Sequence, residues 1–257
     1  MKKILFILGV MLISTFGHSQ EVELYKKDGK VGLIKGNTVI LPPIYDHISD
    51  FKMSLAWTHK DKKIGLINKK GEVLLQPTYD EAKDFSGKPG HYLSLVKLNN
   101  KFGMIDMKGH EEIPIKYDSL QAYFAEGMAY AKLNGKWGFI DSLYKVAIPF
   151  QYEAIDTWQG FYGGVIAVKS GGKWGAINKK GAVVVPFKYD LTISNMGDLV
   201  TIKLGGKYGF YNKSGKELCS PIFDDIEMGF ANRGVAWVIL DGKMYSDVQM
   251  RNKFFKK

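Results

Sequence analysis

The sequence predicts an all-β chain, a tandem array of three-stranded antiparallel β-meander repeats forming a curved superhelical or propeller-like array. Three observations predict it. First, the tripeptide Lys-x-Gly recurs at Lys30–Gly32, Lys63–Gly65, Lys101–Gly103, Lys136–Gly138, Lys173–Gly175 and Lys207–Gly209, with glycine separations of 33, 38, 35, 37 and 34 residues. A fixed period of this size marks solenoids, propellers and arrays. Second, Asp28-Gly29, Asn134-Gly135, Gly171-Gly172, Gly205-Gly206 and Asp241-Gly242 stand just before the element. Such dipeptides enter φ > 0 at low cost and signal tight hairpins. Third, no stretch after Phe16 carries the apolar period of a helix.

The elements follow in order. Lys2 and Lys3, the apolar run of thirteen residues from Ile4 to Phe16, and the small residues Gly17 and Ser19 ahead of Gln20 have the layout of a secretory signal peptide. A membrane span needs about 20 apolar residues, more than this run supplies. Cys219, the single cysteine, lies far from the cleavage site, so no lipid anchor is expected. Residues 1–19 are therefore expected to be removed and the protein exported to the periplasm, the cell surface or the medium. The repeat domain is placed at 20–250, with units starting near 22, 55, 92, 128, 165, 199 and 235, and residues 251–257 are read as a basic tail.

Within a unit, the Lys-x-Gly strand is the middle one. A second turn follows it, as in Asn68-Lys69-Lys70-Gly71, Asn178-Lys179-Lys180-Gly181 and Asn212-Lys213-Ser214-Gly215. Asn or Asp first and Gly fourth suit a type I turn leading into a glycine bulge. In the fourth unit the strands are expected at Met128–Leu133, Lys136–Asp141 and Val146–Pro149. Each unit then carries a proline and Tyr-Asp or a near relative: Tyr45-Asp46, Tyr79-Asp80, Tyr117-Asp118, Tyr152-Glu153, Tyr189-Asp190 and Phe223-Asp224.

Strand alternation puts Trp137 and Phe139 on one face, Gly138 and Ile140 on the other. Both faces are partly apolar, so both are expected to be covered by stacked units. The glycines (Gly32, Gly65, Gly103, Gly138, Gly175 and Gly209) are expected to let a neighbouring backbone or ring approach closely. The slot before them drifts through Val31, Ile64, Phe102, Trp137, Trp174 and Tyr208, as packing permits and a specific aromatic site would not.

Gly-Lys-Trp-Gly-Phe-Ile-Asp at 135–141, its counterpart Gly-Lys-Trp-Gly-Ala-Ile-Asn at 172–178, the following proline and the Tyr-Asp pair resemble the WG (KWG) repeat family of bacteria. The likeness runs from Gln20 to about Asp247. The first two copies lack the aromatic, and the last has Tyr245 in the glycine slot. The resemblance implies an all-β repeat array, often on exported proteins, and brings no established activity with it.

The remaining chemistry is sparse. Net charge is +10, falling to +8 without Lys2 and Lys3, and the excess is diffuse except for the Arg251–Lys257 tail. A solvated surface or attraction to an acidic envelope polymer fits this, and nucleic-acid binding is not expected. His47, His59, His91 and His110 fall at unmatched positions without metal-ligand spacing. Asp224-Asp225 and Glu111-Glu112 are adjacent, so extended backbone points their carboxyls to opposite faces. No nucleophile turn, phosphate loop or calcium loop is present. Asp or Asn closes the middle strand interchangeably, which suits a turn and not catalysis. No cofactor or metal is expected, and no enzyme.

Two segments exceed their counterparts in length and aromatic content: Phe85–Tyr92 and Asp156–Gly164. Insertions in repeat proteins fall on one face, often the binding face. Trp158, Tyr162 and His91 are the binding candidates. The expected function is binding or scaffolding toward a protein or envelope polymer. The alternative is a carbohydrate-binding or carbohydrate-active protein, where hydrolysis would need two carboxylates about 5–10 Å apart. The seventh unit has only two strands, Val235–Leu240 and Lys243–Val248, and is expected to cap the array.

Overall fold

Consecutive hairpins build the molecule one small sheet at a time. The computed structural model describes residues 21–158, 160–229 and 234–256, so the expected signal segment lies outside the described residues. Among these the chain forms seven antiparallel sheets, and no helix is long and apolar enough to cross a membrane. The chain divides into two compact units, residues 1–77 and 78–257. The first holds the sheet of Val22–Lys27, Lys30–Lys35 and Thr38–Tyr45 and the sheet centred on Leu55–Lys60 and Lys63–Asn68. The second holds five sheets, with middle strands Lys101–Asp106, Lys136–Asp141, Lys173–Asn178, Lys207–Asn212 and, last, Val235–Leu240.

Each sheet after the first has a strand the sequence reading did not include. A short segment directly after the Tyr-Asp pair, such as Ser119–Leu120, Ala154–Ile155 or Leu191–Met196, pairs with the leading strand of the next sheet. The chain therefore leaves each sheet at the Tyr-Asp pair and enters its neighbour as an edge strand. The acidic residue fastens this crossing. Asp190 accepts from Lys173 Nζ of its own sheet and from Gly205 N–H at the hairpin turn of the next. Asp46, Asp118 and Asp224 repeat the pattern with Lys30, Lys101 and Lys207 and with the N–H groups of Asp61, Gly135 and Asp241. The recurring Lys and the recurring Asp are thus two halves of one clasp.

The middle-strand glycine has a steric cause. A Cβ on Gly138 would lie 2.8 Å from Ile148 O and 2.7 Å from Phe150 Cδ1. One on Gly175 would lie 2.5 Å from Val185 O. These atoms belong to the third strand, which bulges over the glycine: Trp137 pairs with Tyr152 and Phe139 with Ile148, leaving Pro149, Phe150 and Gln151 against Gly138 alone. The strand runs on from Val146 to Tyr152, past the Pro149 at which it was expected to stop. Proline, unable to donate to the ladder, is at home in this bulge. The bulge turns Phe150 toward Tyr117 of the preceding sheet, ring centroids 5.7 Å apart, and Phe187 toward Tyr152 at 6.4 Å.

Within each unit, cores lie between successive sheets. Phe139 packs forward with Ile155, Ile166 and Val168, whereas its neighbour Ile140 packs backward with Met104, Ile113 and Tyr117. Tyr211 and Phe210 divide in the same way, backward with Tyr189 and Val200, forward with Cys219 and Val238. Strand alternation thus places successive side chains in different cores, which is why both faces read as apolar. The slot before the glycine is buried at Val31 but only half buried from Ile64 to Tyr208. Trp137 and Tyr208 lie at the edge of the core, beneath the ammonium groups of Lys132 and Lys203 on the paired strand. Asp141 and Asn178 close their strands alike, each Oδ1 accepting two backbone N–H bonds across the turn.

The C-terminus corrects the sequence reading twice. The last strand ends at Ser246, and Asp247–Phe254 is a helix, although no helical period was found there. Ser246 and Gln249 form a reciprocal capping box. The expected basic tail is not loose: Arg251 pairs with Asp198 and Asp247, and Lys256 bonds Leu218 O and Glu217. Met250 is fully buried between the last two sheets, and Phe254 stacks edge-on against Phe223 and Tyr245. This helix covers the core where a third strand would have lain.

Two outcomes follow from this packing. Gly138→Val forces a branched side chain into the bulge and is expected to lower stability by about 1–3 kcal/mol. Lys180→Ala, in an exposed turn, is expected to stay within about 0.5 kcal/mol; urea midpoints separate the two. Lys173 and the Gly205 N–H hold the Asp190 carboxyl below its usual range. A depressed carboxylate stabilises above its unfolded value, about 3.9, and the gain is lost as pH falls through the folded value. The midpoint gap between wild type and Asp190→Asn is therefore expected to be full at pH 7 and to close below about pH 4.

Candidate ligand groove

The departures from the repeat pattern meet at one place in the second unit. The segment Phe85–Tyr92 forms a hairpin in which Ser86–Lys88 pairs with His91–Leu93 across Pro89 and Gly90. This hairpin, the Ala122–Gly127 loop and the Ser142–Tyr144 turn enclose a groove of about 630 Å³. Leu93, Met104, Phe124 and Tyr144 give it apolar surface, while Ser86, Lys88, His91 and Ser142 supply the polar groups. Its volume falls in the range of small-ligand clefts, roughly 300–1,000 Å³.

The turn that forms one wall breaks the rule of its own repeat. Copies at 68–71, 178–181 and 212–215 place glycine fourth, whereas Asp141-Ser142-Leu143-Tyr144 places tyrosine there. Tyr144 retains the left-handed conformation, with φ 62°, and donates its N–H to Asp141 O as the glycines do to their Asn. A bulky residue at such a φ carries backbone strain of about 1–3 kcal/mol. In return, a ring stands against Phe124, centroids 6.0 Å apart, and Leu143 is left 72% exposed. Burial and the nearby Glu112 carboxylate both push the Tyr144 phenol up.

Of the three expected binding residues, His91 lines the groove. Trp158 stands on the adjoining Asp156–Gly164 loop, 71% exposed, with its N–H bonded to Asp156 Oδ1. The Tyr130 hydroxyl, on the leading strand of the fourth sheet, donates to Thr157 O of this loop at 3.5 Å. Tyr162 is already engaged. Lys213 Nζ lies 4.0 Å from its ring centroid and donates to its carbonyl oxygen, and burial pushes the Lys213 ammonium down. Phe161, on the same loop, is core, edge-on to Phe139 at 5.0 Å. Glu126 ties the two loops together by accepting from Gly163 and Gly164 N–H, and it also pairs with Lys179 in the turn of the fifth sheet.

Tyr123, Phe124, Leu143, Tyr144 and Lys88 were not singled out from the sequence. The signal for Leu143 and Tyr144 was present in the missing glycine. Cys219 is buried, with its thiol pushed up by burial, as suits a core residue. His47 and His59, expected to be unrelated, are cross-strand partners with rings 5.5 Å apart. No cluster of three metal-ligating side chains occurs among the described residues.

A family model described as "WG containing repeat" matches six stretches, 35–63, 64–102, 102–137, 137–174, 174–208 and 208–243. No curated protein matches the chain. Among solved structures it is similar to a eukaryotic initiation factor (11% identity, TM-score 0.38), covering 78% of this chain and 62% of that one. It is also similar to Kluyveromyces lactis Hsv2 with loop 6CD replaced by a Gly-Ser linker (10%, TM-score 0.36, 86% and 85% covered). The extracellular domain of the one-component system BT4673 from B. thetaiotaomicron gives 12% and TM-score 0.33, with 82% of this chain and 38% of that one covered. The chain thus spans less than two thirds of the initiation factor's length. Scores this low carry nothing about ligand or partner.

Because Glu126 joins the two loops through the N–H groups of Gly163 and Gly164, Glu126→Ala is expected to free the 156–164 loop without unfolding the sheets. Hydrogen exchange read by mass spectrometry should show faster exchange at Gly163 and Gly164 and unchanged protection in Lys136–Asp141. Unchanged exchange in the loop would show that Glu126 does not hold it.

Proposed function

The chain belongs to the WG repeat family, and from that premise we propose that it is an exported, non-enzymatic binding or scaffold protein that holds its partner in the groove around Tyr144. One observation carries the reading. A tyrosine occupies, at a cost in backbone strain, the position that other copies give to glycine, and its ring walls the groove. Strain kept at a cleft wall serves recognition, because packing alone is better served by the glycine. Export rests on the pattern of residues 1–19.

The exposed rings of Tyr123 and Trp158 favour a second reading, in which the same face holds a carbohydrate. Hydrolysis has less support, since no Asp or Glu lines the groove and a glycosidase needs a carboxyl pair.

A photo-crosslinking side chain placed at Leu143 in the native host tests the reading. Val183, exposed on the third strand of the fifth sheet, is the control position. The expected outcome is a discrete adduct from Leu143 and none from Val183. Equal labelling at both positions, or none at either, would set the groove aside as the binding surface.

A further inference from the structure

We propose that the groove takes an extended peptide segment in which a bulky apolar side chain is flanked by carboxylates; this rests on the reading of the groove as the binding site. Leu93, Met104 and Phe124, with the walls of Leu143 and Tyr144, offer an apolar seat for one anchoring side chain. Lys88 and His91 line the same groove, and no acidic side chain does. Glu126, beside the lining residue Gly127, is occupied by Gly163, Gly164 and Lys179. Glu112, outside the lining, acts on Tyr144 from nearby. Lys88 has no carboxylate partner among the described residues, so its ammonium is open to a ligand.

The backbone adds a third element. Lys88 faces His91 and Gly87 faces Tyr92 in the hairpin register. Among the described residues Ser86–Lys88 pairs on one side alone, with His91–Leu93, and it is exposed, so its other edge is open to another backbone. Gly87 itself serves the hairpin: at φ 143° a Cβ there would lie 2.2 Å from His91 O. Strand addition at such an edge supplies main-chain hydrogen bonds, while an adjacent pocket reads a side chain. A sugar is served less well. The lining holds no Asp, Asn, Glu, Gln or Arg, the planar groups that pair with neighbouring hydroxyls.

Selection of phage-displayed random dodecapeptides on the immobilised full-length protein, run beside a glycan array, tests this. The variants are Lys88→Glu and Leu143→Asp, both at exposed sites, with melting midpoints as the folding control. The expected result is enrichment of peptides that carry Asp or Glu around a large apolar residue. Their binding should fall at least tenfold in either variant while the midpoints hold. Enriched peptides without acidic residues, or peptides indifferent to Lys88→Glu, would overturn the proposal. A glycan retained by wild type and lost in Leu143→Asp, with no peptide enriched, would also overturn it and leave the groove standing as a binding site. If nothing in either collection depends on these residues, the groove reading falls as well.

Discussion

Much of this structure depends on the absence of one carbon atom, repeated six times. Where the middle strand lacks a Cβ, the third strand closes to within van der Waals distance of the backbone and bulges over it. The bulge turns a side chain such as Phe150 or Phe187 back onto the preceding sheet. It also directs the chain toward the next sheet, where Tyr-Asp carries it across. Glycine, proline and the Tyr-Asp pair therefore form one device: the glycine makes space, the proline occupies a bulge that needs no donor, and the acid fixes the exit.

The device separates two kinds of position. Side chains along the middle strand alternate between two cores and are constrained on both sides, as with Phe139 and Ile140. The turns and the loops before the leading strands lie outside that constraint and are free to diverge. The groove arises from such divergence. The third sheet gains a hairpin at Ser86–Leu93, and the fourth exchanges a Lys-Lys-Gly turn for Ser142-Leu143-Tyr144. A scaffold kept constant by sterics thus carries a recognition surface that varies.

Much of the fold could be read from the sequence because its determinants are local. Hairpin dipeptides, Asn or Asp at the strand end, and the glycine each act through neighbours a few residues away. The strand after Tyr-Asp is hard to read because two residues form it in four of its six occurrences and its partner lies a hairpin further on. The C-terminal helix escaped because it buries a single residue, Met250, and so shows no apolar stripe. Its capping box, Ser246 and Gln249, was the sign available. In the groove, His91 was found through an insertion, which changes length. Tyr144 was passed over, since a substitution within a turn changes nothing countable. Tyr162 reads as a free aromatic because nothing in its own segment reveals that Lys213, distant in sequence, reaches over it.

The crossing at Tyr-Asp means that the repeating sequence and the folded sheet are out of phase. A stretch running from one Lys-x-Gly to the next contributes the end of one sheet and the beginning of another. Recombination between two such elements joins half of one sheet to the complementary half of another, and every junction still finds its bulge, its clasp and its core. Copies can therefore be gained or lost in whole numbers without creating an unpaired edge in the interior. A cut made between sheets, at the point a domain boundary would ordinarily be drawn, strands the entering segment instead. Lineages carrying this design are free to vary in length, and the natural unit of that variation is the span between glycines.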